Sequence, residues 1–452
     1  MTDFGAEPVP DFPTENRGTV RYPARKALEG EAPHVATTRP HRDLRSDIRF
    51  GWITTWCLKL TDMRAISTFR RNRFFRISPL ILASVCLVMV VFKIAQKKEP
   101  IKIGLATTLT GIYSTSGAHA RNGAMLAVEQ INKAGGINGR PVELLIRNDK
   151  ADPEEALRVD QELIDEGVVA IIGHVISTLS TKTVPLMNEK NVLMVGNSST
   201  AELSGLDDNF IRTVISVNRQ APLTADLAYQ QLNLRTMVSV HDLSNAKLAE
   251  SFFQYFKEGF DKLGGEISGV VTFDPRKEFS ATAIAQEIMS SGAEGLLLVA
   301  NAIHGALICQ HLRKKGASMT IVDSGWAIGD PDFISNGGRA VNGVMALAMF
   351  AGKSSSEPSA RFSTLYERRF GEKISEAAQD GYEAAHVLFS ALSKTDDPTK
   401  LKKIILEQKV FQGADGKIMI DAYGDVIRTM YTLEIRNGKV EVIDTLVPSE
   451  PQ

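Results

Sequence analysis

Beyond residue 100 the apolar positions follow two patterns in turn. IKIGLA at 101–106 is a short run of the kind found in a strand buried on both faces. Residues 120–134 then place Ala124, Ala127, Val128 and Ile131 at helical spacing, and GGINGRP at 135–141 is turn chemistry. The alternation continues with strands predicted at 142–147, 168–172 and 192–195 and helices at 152–166 and 178–189. Strand and helix alternating over short connections predict a parallel sheet covered on both faces. Near Asn218 the cycle restarts. Strands are predicted at 237–241, 266–273, 295–300 and 320–322, and helices at 246–263, 280–290 and 302–315. Phe252, Phe253, Phe256 and Phe260 fall near one face of the first of these helices. Helices at 359–370 and 376–393 follow, and the chain closes on a β-hairpin, 428–436 and 439–443, around Asn437-Gly438. The second cycle repeats the topology of the first but not its sequence. The expected fold class is therefore α/β, with two Rossmann-like lobes.

The first hundred residues do not share this pattern. Residues 1–61 are rich in Pro, Arg, Asp and Thr without a sustained apolar period, and the segment 1–76 reads as disordered. Arg70, Arg71, Arg73 and Arg76 then precede ISPLILASVCLVMVVF at 77–92, which carries no charge. A basic flank before an apolar core is the layout of a secretory signal, and the run is shorter than the ~20 residues of a full span. Lys93 and Gln96-Lys97-Lys98 follow directly, without a small-residue cleavage site. Residues 77–94 are therefore expected to be an uncleaved signal or membrane anchor, with the arginines in the cytoplasm and everything after Lys97 exported. Val85 ahead of Cys86 disfavours a lipidated cysteine, and Met63 is a second candidate start.

Charge and cysteine content narrow the classes. Lys plus Arg total 52 against 53 Asp plus Glu, which leaves no excess of basic charge for nucleic acid. Of Cys57, Cys86 and Cys309, only Cys309 lies in the folded body, so no disulfide framework is available there. The chain has no phosphate-cradling Gly-rich loop ending in Lys-Ser/Thr, no His-Glu-x-x-His and no Gly-x-Ser-x-Gly, and its eight His are scattered. No enzyme activity, metal or cofactor is expected.

Taken in order, IKIGLATTLTG, NGAMLAVEQINKAGGINGRPVELLIRNDKADPEEA, VVAIIGHVIST and GADGKIMIDAYGDVIRTMYTLEIRNGKV resemble the branched-chain amino acid ABC transporter substrate-binding family, the type I periplasmic binding proteins. The resemblance covers 101–443. It implies two lobes joined by a three-crossing hinge, with ligand in the cleft between them. Lobe 1 would be 101–218 with 350–427, and lobe 2 would be 219–349 with 428–446.

In open parallel sheets ligands bind beyond the carboxyl ends of strands. The strand at 168–172 ends in Gly173-His174-Val175-Ile176-Ser177-Thr178, where a helix begins. Ser177 is either an N-cap or a contact for a ligand carboxylate drawn to the helix N-terminus; the resemblance implies contact. The next strand ends in Gly196-Asn197-Ser198-Ser199-Thr200. Ser199 stands where the family uses a Thr on the head group, with Asn197 and Ser198 beside it. Thr110, Tyr113 and Ser116 are expected to face the cleft from the first loop, Ser116 where several relatives carry an aromatic. In the second lobe Asn245 is the candidate at Asp242-Leu243-Ser244-Asn245, or else a turn former. His304 either reaches the cleft or sits on a first helical turn. Trp326, in Asp323-Ser324-Gly325-Trp326, stands where amino-acid binders carry the acid that pairs the ammonium; its face attracts cations but forms no ion pair. Asp323 either substitutes for that acid or caps a turn.

These residues predict an extracytoplasmic solute-binding protein of an ABC importer. It would be monomeric, would hold an amino acid or an organic or aromatic acid, and would present its closed form to a membrane permease. The alternative is a membrane-anchored sensor acting through a signalling partner.

Overall fold

The computed structural model describes residues 98–352 and 356–448. The segment expected to be disordered, 1–76, and the expected anchor, 77–94, lie outside the described residues. Among the described residues no helix is long and apolar enough to cross a membrane.

The first sheet holds β1 (Ile101–Thr107), β2 (Val142–Asn148), β3 (Ala170–Ile172), β4 (Leu193–Gly196) and β5 (Phe210–Arg212) in the order β2-β1-β3-β4-β5. All its pairings are parallel. Helices α1 (Ser114–Lys133), α2 (Pro153–Asp165) and α3 (Ser177–Lys190) connect its first strands. Burial on both faces is why β1 reads as a run and not an alternation: Ile103, Leu105 and Ala106 are all buried.

The second half opens with α4 (Val217–Asp226), then β6 (Thr236–Asp242), α5 (Ala246–Lys262), β7 (Glu266–Phe273), α6 (Ala281–Ser290), β8 (Gly295–Val299), α7 (Ala302–Lys314), β9 (Thr320–Asp323), α8 (Pro331–Gly337) and β10 (Met345–Ala348). Its strands β7, β6, β8, β9 and β10 run parallel. The C-terminal hairpin β14 (Met430–Arg436) and β15 (Lys439–Leu446) adds to β10 antiparallel, giving the order β15-β14-β10-β9-β8-β6-β7. On α5, Phe252, Phe256 and Phe260 recur every four residues and are fully buried, whereas Phe253 is only half-buried.

Between these halves lie α9 (Glu357–Phe370), α10 (Glu376–Leu392), α11 (Leu401–Gln408) and a small antiparallel sheet of β11 (Val410–Gly413), β12 (Gly416–Ile420) and β13 (Val426–Ile427). Helices α9 and α10 pack on α1, so this segment belongs with the first sheet. The chain passes between the halves three times: after β5, after β10 and between β13 and β14.

Helix α1 starts at Ser114, ahead of the predicted 120. Elements β5, α4, α8, β10, α11 and the small sheet are additions to the sequence-based prediction. The short strands β5 and β10 carry too few residues for a period, and α4 contains Pro222, which masks a helix in sequence.

Candidate functional site

A cavity of about 120 Å³ lies where the carboxyl ends of the two parallel sheets face each other, room for a single small solute. From the first half it is lined by Ser116, Val175, Ser177, Asn197, Ser199 and the start of α10. From the second half come Asn245, Asn301, Ser324, Trp326 and Asp330, with Leu248 and Phe252 behind them. Six of the eleven residues singled out in the sequence therefore meet here: Ser116, Ser177, Asn197, Ser199, Asn245 and Trp326.

At α3, Ile176 takes the N-cap position in extended backbone and offers no side-chain cap. Ser177 is the first helical residue, not the cap, so its hydroxyl is not spent on the helix's own N–H groups. The first turn of a helix leaves its amides open and its dipole positive, which suits an anion. Thr178 donates its backbone N–H to Asn245 Oδ1 at 3.3 Å, so one such amide is already bound from the other half.

The other five sit elsewhere. Tyr113 is buried, with its hydroxyl 2.5 Å from Ser244 Oγ and its ring stacked on Trp326 at 6.0 Å between centroids. Ser198, in the loop after β4, is fully buried. His304 lies in the first turn of α7, where Asn301 Nδ2 is 2.7 Å from its Nδ1. Asp323 is fully buried and accepts the backbone N–H groups of Gly325 (2.9 Å) and Ile328 (3.1 Å), so it caps a turn behind the cavity wall. Thr110 is exposed and accepts from Asn148 Nδ2.

Sequence reading missed Gln220, Asp330, Glu376 and Asp380, all of which line the cavity. Glu376 and Asp380 are one turn apart on α10, a spacing that in sequence looks like a solvated face. Asp380 is only 3% exposed, and its Oδ2 accepts from Asn197 Nδ2 at 3.3 Å. Burial, reinforced by Glu376 and Glu383, pushes the Asp380 carboxyl well above the usual range. Burial also pushes Glu376 up to about 7, against the opposing pull of Arg428. Asp330 is likewise raised by burial.

Beneath the Ser177 loop, His174 is fully buried between two carboxylates, with Nδ1 2.8 Å from Asp149 and Nε2 3.1 Å from Asp160. Burial alone would lower its pKa, but Asp160 and Asp149 outweigh burial and raise it to about 10. The imidazolium ties the end of β2, helix α2 and the loop after β3 together, and so fixes the backbone that presents Ser177. Among the described residues no cluster of His, Cys, Asp and Glu has the arrangement of a metal site.

The profile of the family described as periplasmic binding protein matches residues 100–439. The chain belongs to the periplasmic binding protein family. Over 341 residues it is 26% identical to the Leu/Ile/Val-binding protein BraC3 of Rhizobium johnstonii, covering 74% of this chain and 90% of that one. It is 35% identical to a leucine-, isoleucine-, valine-, threonine- and alanine-binding protein of Pseudomonas aeruginosa, but over 146 residues only, 32% of this chain and 39% of the relative. A leucine-binding protein of Thermotoga maritima superposes with a TM-score of 0.71 at 26% identity, covering 77% of this chain and 99% of the other. These matches place the fold as a type I periplasmic binding protein. The family is extracytoplasmic and binds solutes without transforming them.

In this periplasmic binding protein several contacts bridge the halves around the cavity. Besides the Tyr113–Trp326 stack and the Thr178–Asn245 bond, Ser116 Oγ donates to Asp330 Oδ2 at 3.4 Å and the Glu376 N–H donates to Gly329 O at 2.9 Å. Lys247 and Glu202 form an ion pair at 2.7 Å on the rim.

Proposed function

We propose that this chain captures a small carboxylate-bearing solute between two closing lobes and delivers it to an ABC permease in the membrane. The lobes are 101–218 with 350–427 and 219–349 with 428–446. The observation that carries the reading is the pairing of Ser177, at the uncapped start of α3, with Ser199, after β4, on one wall of a cavity shared by both halves. Their hydroxyls and the open amides of α3 receive the carboxylate; Asn245, Trp326 and Asp330 close over it from lobe 2. The arginine-flanked apolar run 77–92 tethers the body to the outer face of the membrane.

Calorimetry with the full chain against single amino acids and small organic acids tests this. Binding of at least one carboxylate solute, weakened about 10- to 100-fold by Ser177→Ala and Ser199→Ala together, is expected, since a hydrogen bond to a charged group is worth ~1.5–3 kcal/mol. Binding that ignores both substitutions overturns the assignment. Membrane fractionation before and after deletion of 77–92 tests the tether separately, with release into the soluble fraction expected.

A further inference from the structure

The cavity wall is rich in carboxyl groups and carries no fixed cation. Asp330, Glu376 and Asp380 line it, and no Lys or Arg is among the lining residues. The charged groups facing this wall do not correct the excess. Arg428 is held by Glu383, Nη1 to Oε2 at 2.6 Å, and is thereby neutralised. Asp323 is buried behind the second-half wall, and His119 on α1, which acts on Asp330 electrostatically, is engaged with Ser375 at 2.7 Å.

A second, independent feature lies at the same wall. Asp380 is 3% exposed, yet its Oδ1 finds no hydrogen-bond partner among the described residues. A buried carboxylate oxygen without a partner costs free energy until a donor arrives. Glu376 presents its carboxylate at the same place: a Cβ on Gly329 would stand 2.5 Å from Glu376 Oε2, so that oxygen lies against the residue preceding Asp330. Acidic oxygens from lobe 1 (Glu376, Asp380) and from lobe 2 (Asp330) thus converge, and the ring of Trp326 adds an electron-rich face.

We propose that the captured solute carries two cationic nitrogens besides its carboxylate, that is, a diamino or guanidino acid whose positive groups are shared among Asp380, Glu376 and Asp330. The proposal rests on the carboxylate reading given above for Ser177 and Ser199 and adds the chemistry of the opposite end. One α-ammonium neutralises a single carboxylate and leaves the others unpaired in a desolvated wall. A second nitrogen pairs a second carboxylate, and of the three Asp330 alone also has the Ser116 hydroxyl as a donor. A cation held by Glu376 and Asp330 together is gripped only when the lobes meet, so the same group that sets specificity also favours closure.

The test is isothermal titration calorimetry of the full chain at pH 8 and low salt with L-arginine, L-lysine, L-leucine, benzoate and putrescine. L-Arginine or L-lysine is expected to bind at least tenfold tighter than L-leucine and benzoate. Glu376→Gln and Asp380→Asn are each expected to weaken that binding at least tenfold, with circular dichroism confirming that the variants are folded; Asp330→Asn serves the same purpose should Asp380→Asn not fold. L-Leucine or benzoate as the tightest ligand overturns this inference and leaves the carboxylate reading standing. Putrescine binding as tightly as L-lysine overturns the carboxylate reading instead, and with it the acid half of the proposed ligand. Binding of none of the five, or wild-type affinity for L-arginine in the folded acid variants, also overturns the proposal.

Discussion

Single residues here act through what surrounds them. His174 is invisible as a functional position in sequence, one histidine of eight, yet in the fold it is a buried imidazolium between Asp149 and Asp160. Its folded pKa of about 10 stands above the unfolded value of roughly 6.5. Its contribution to stability is therefore fully present below about pH 6.5 and is lost as pH rises through 10. His174→Asn is expected to lower stability by roughly 3–5 kcal/mol at pH 6, the cost of breaking a buried pair, with the gap from wild type closing toward pH 10. Urea unfolding at a series of pH values measures this, and a gap constant with pH would contradict it. Glu376 titrates in the opposite sense for binding. Its pKa near 7 means that a cationic solute must expel a proton below that pH. Affinity for L-arginine or L-lysine should rise from pH 6 to pH 8, by up to about tenfold per pH unit for each proton released from Glu376 or from Asp380, which burial also raises.

At the scale of elements, the position of α10 decides what reaches the cavity. The helix lies unusually close to α1 because Gly123 and Gly381 sit at the crossing: a Cβ on Gly381 would come 2.1 Å from Ala120 O, and one on Gly123 would come 1.9 Å from Ala378 O. Gly381 is also the neighbour of Asp380, so the same crossing sets the depth of the acid. Gly381→Ala is expected to force the helices apart, with a loss of about 1–3 kcal/mol in urea unfolding. It should also weaken solute binding, whereas substitution of the exposed Gly292, where a side chain meets open space, should leave binding unchanged. Much of this level was legible beforehand. The helix 376–393 was expected from its period and is found at Glu376–Leu392. Elements β5 and β10 were not, since a strand of three or four residues has no period and is defined by the neighbours it pairs with.

For the whole molecule the question is what holds the halves together. Polar and apolar contacts both cross between them, from the Thr178–Asn245 hydrogen bond to the Tyr113–Trp326 stack. Lys247–Glu202 is more than a third exposed on both sides, so its worth is discounted by solvent to no more than about 1 kcal/mol. Lys247→Ala is expected to change solute affinity by less than about fivefold. Tyr113 is different: its ring lies on Trp326 and its hydroxyl meets Ser244, so it joins the first half to the second without lining the cavity. Tyr113→Ala should weaken solute binding by destabilising the closed form. Small-angle scattering should show a larger radius of gyration for this variant than for wild type at equal solute concentration; identical radii would argue against the latch. A solute at one hundred times its Kd should add about 2.7 kcal/mol to stability in either protein.

Amino-acid order alone determined the two cycles of strand and helix, the closing hairpin and the loops at the strand ends where a solute would bind, because period and turn chemistry are local properties of the chain. It also placed Ser177 and Ser199 on those loops. The tertiary structure alone decided that Asp323 caps a turn, that Tyr113 packs against Trp326 and that Asp330, Glu376 and Asp380 share one wall. Those outcomes depend on desolvation and, except for the local turn at Asp323, on groups brought together from distant parts of the chain, as Asn197 is to Asp380 across 183 residues. A carboxylate on a helix reads the same in sequence whether it faces water or a closed cavity, and only the packing of α10 against α1 tells the two apart.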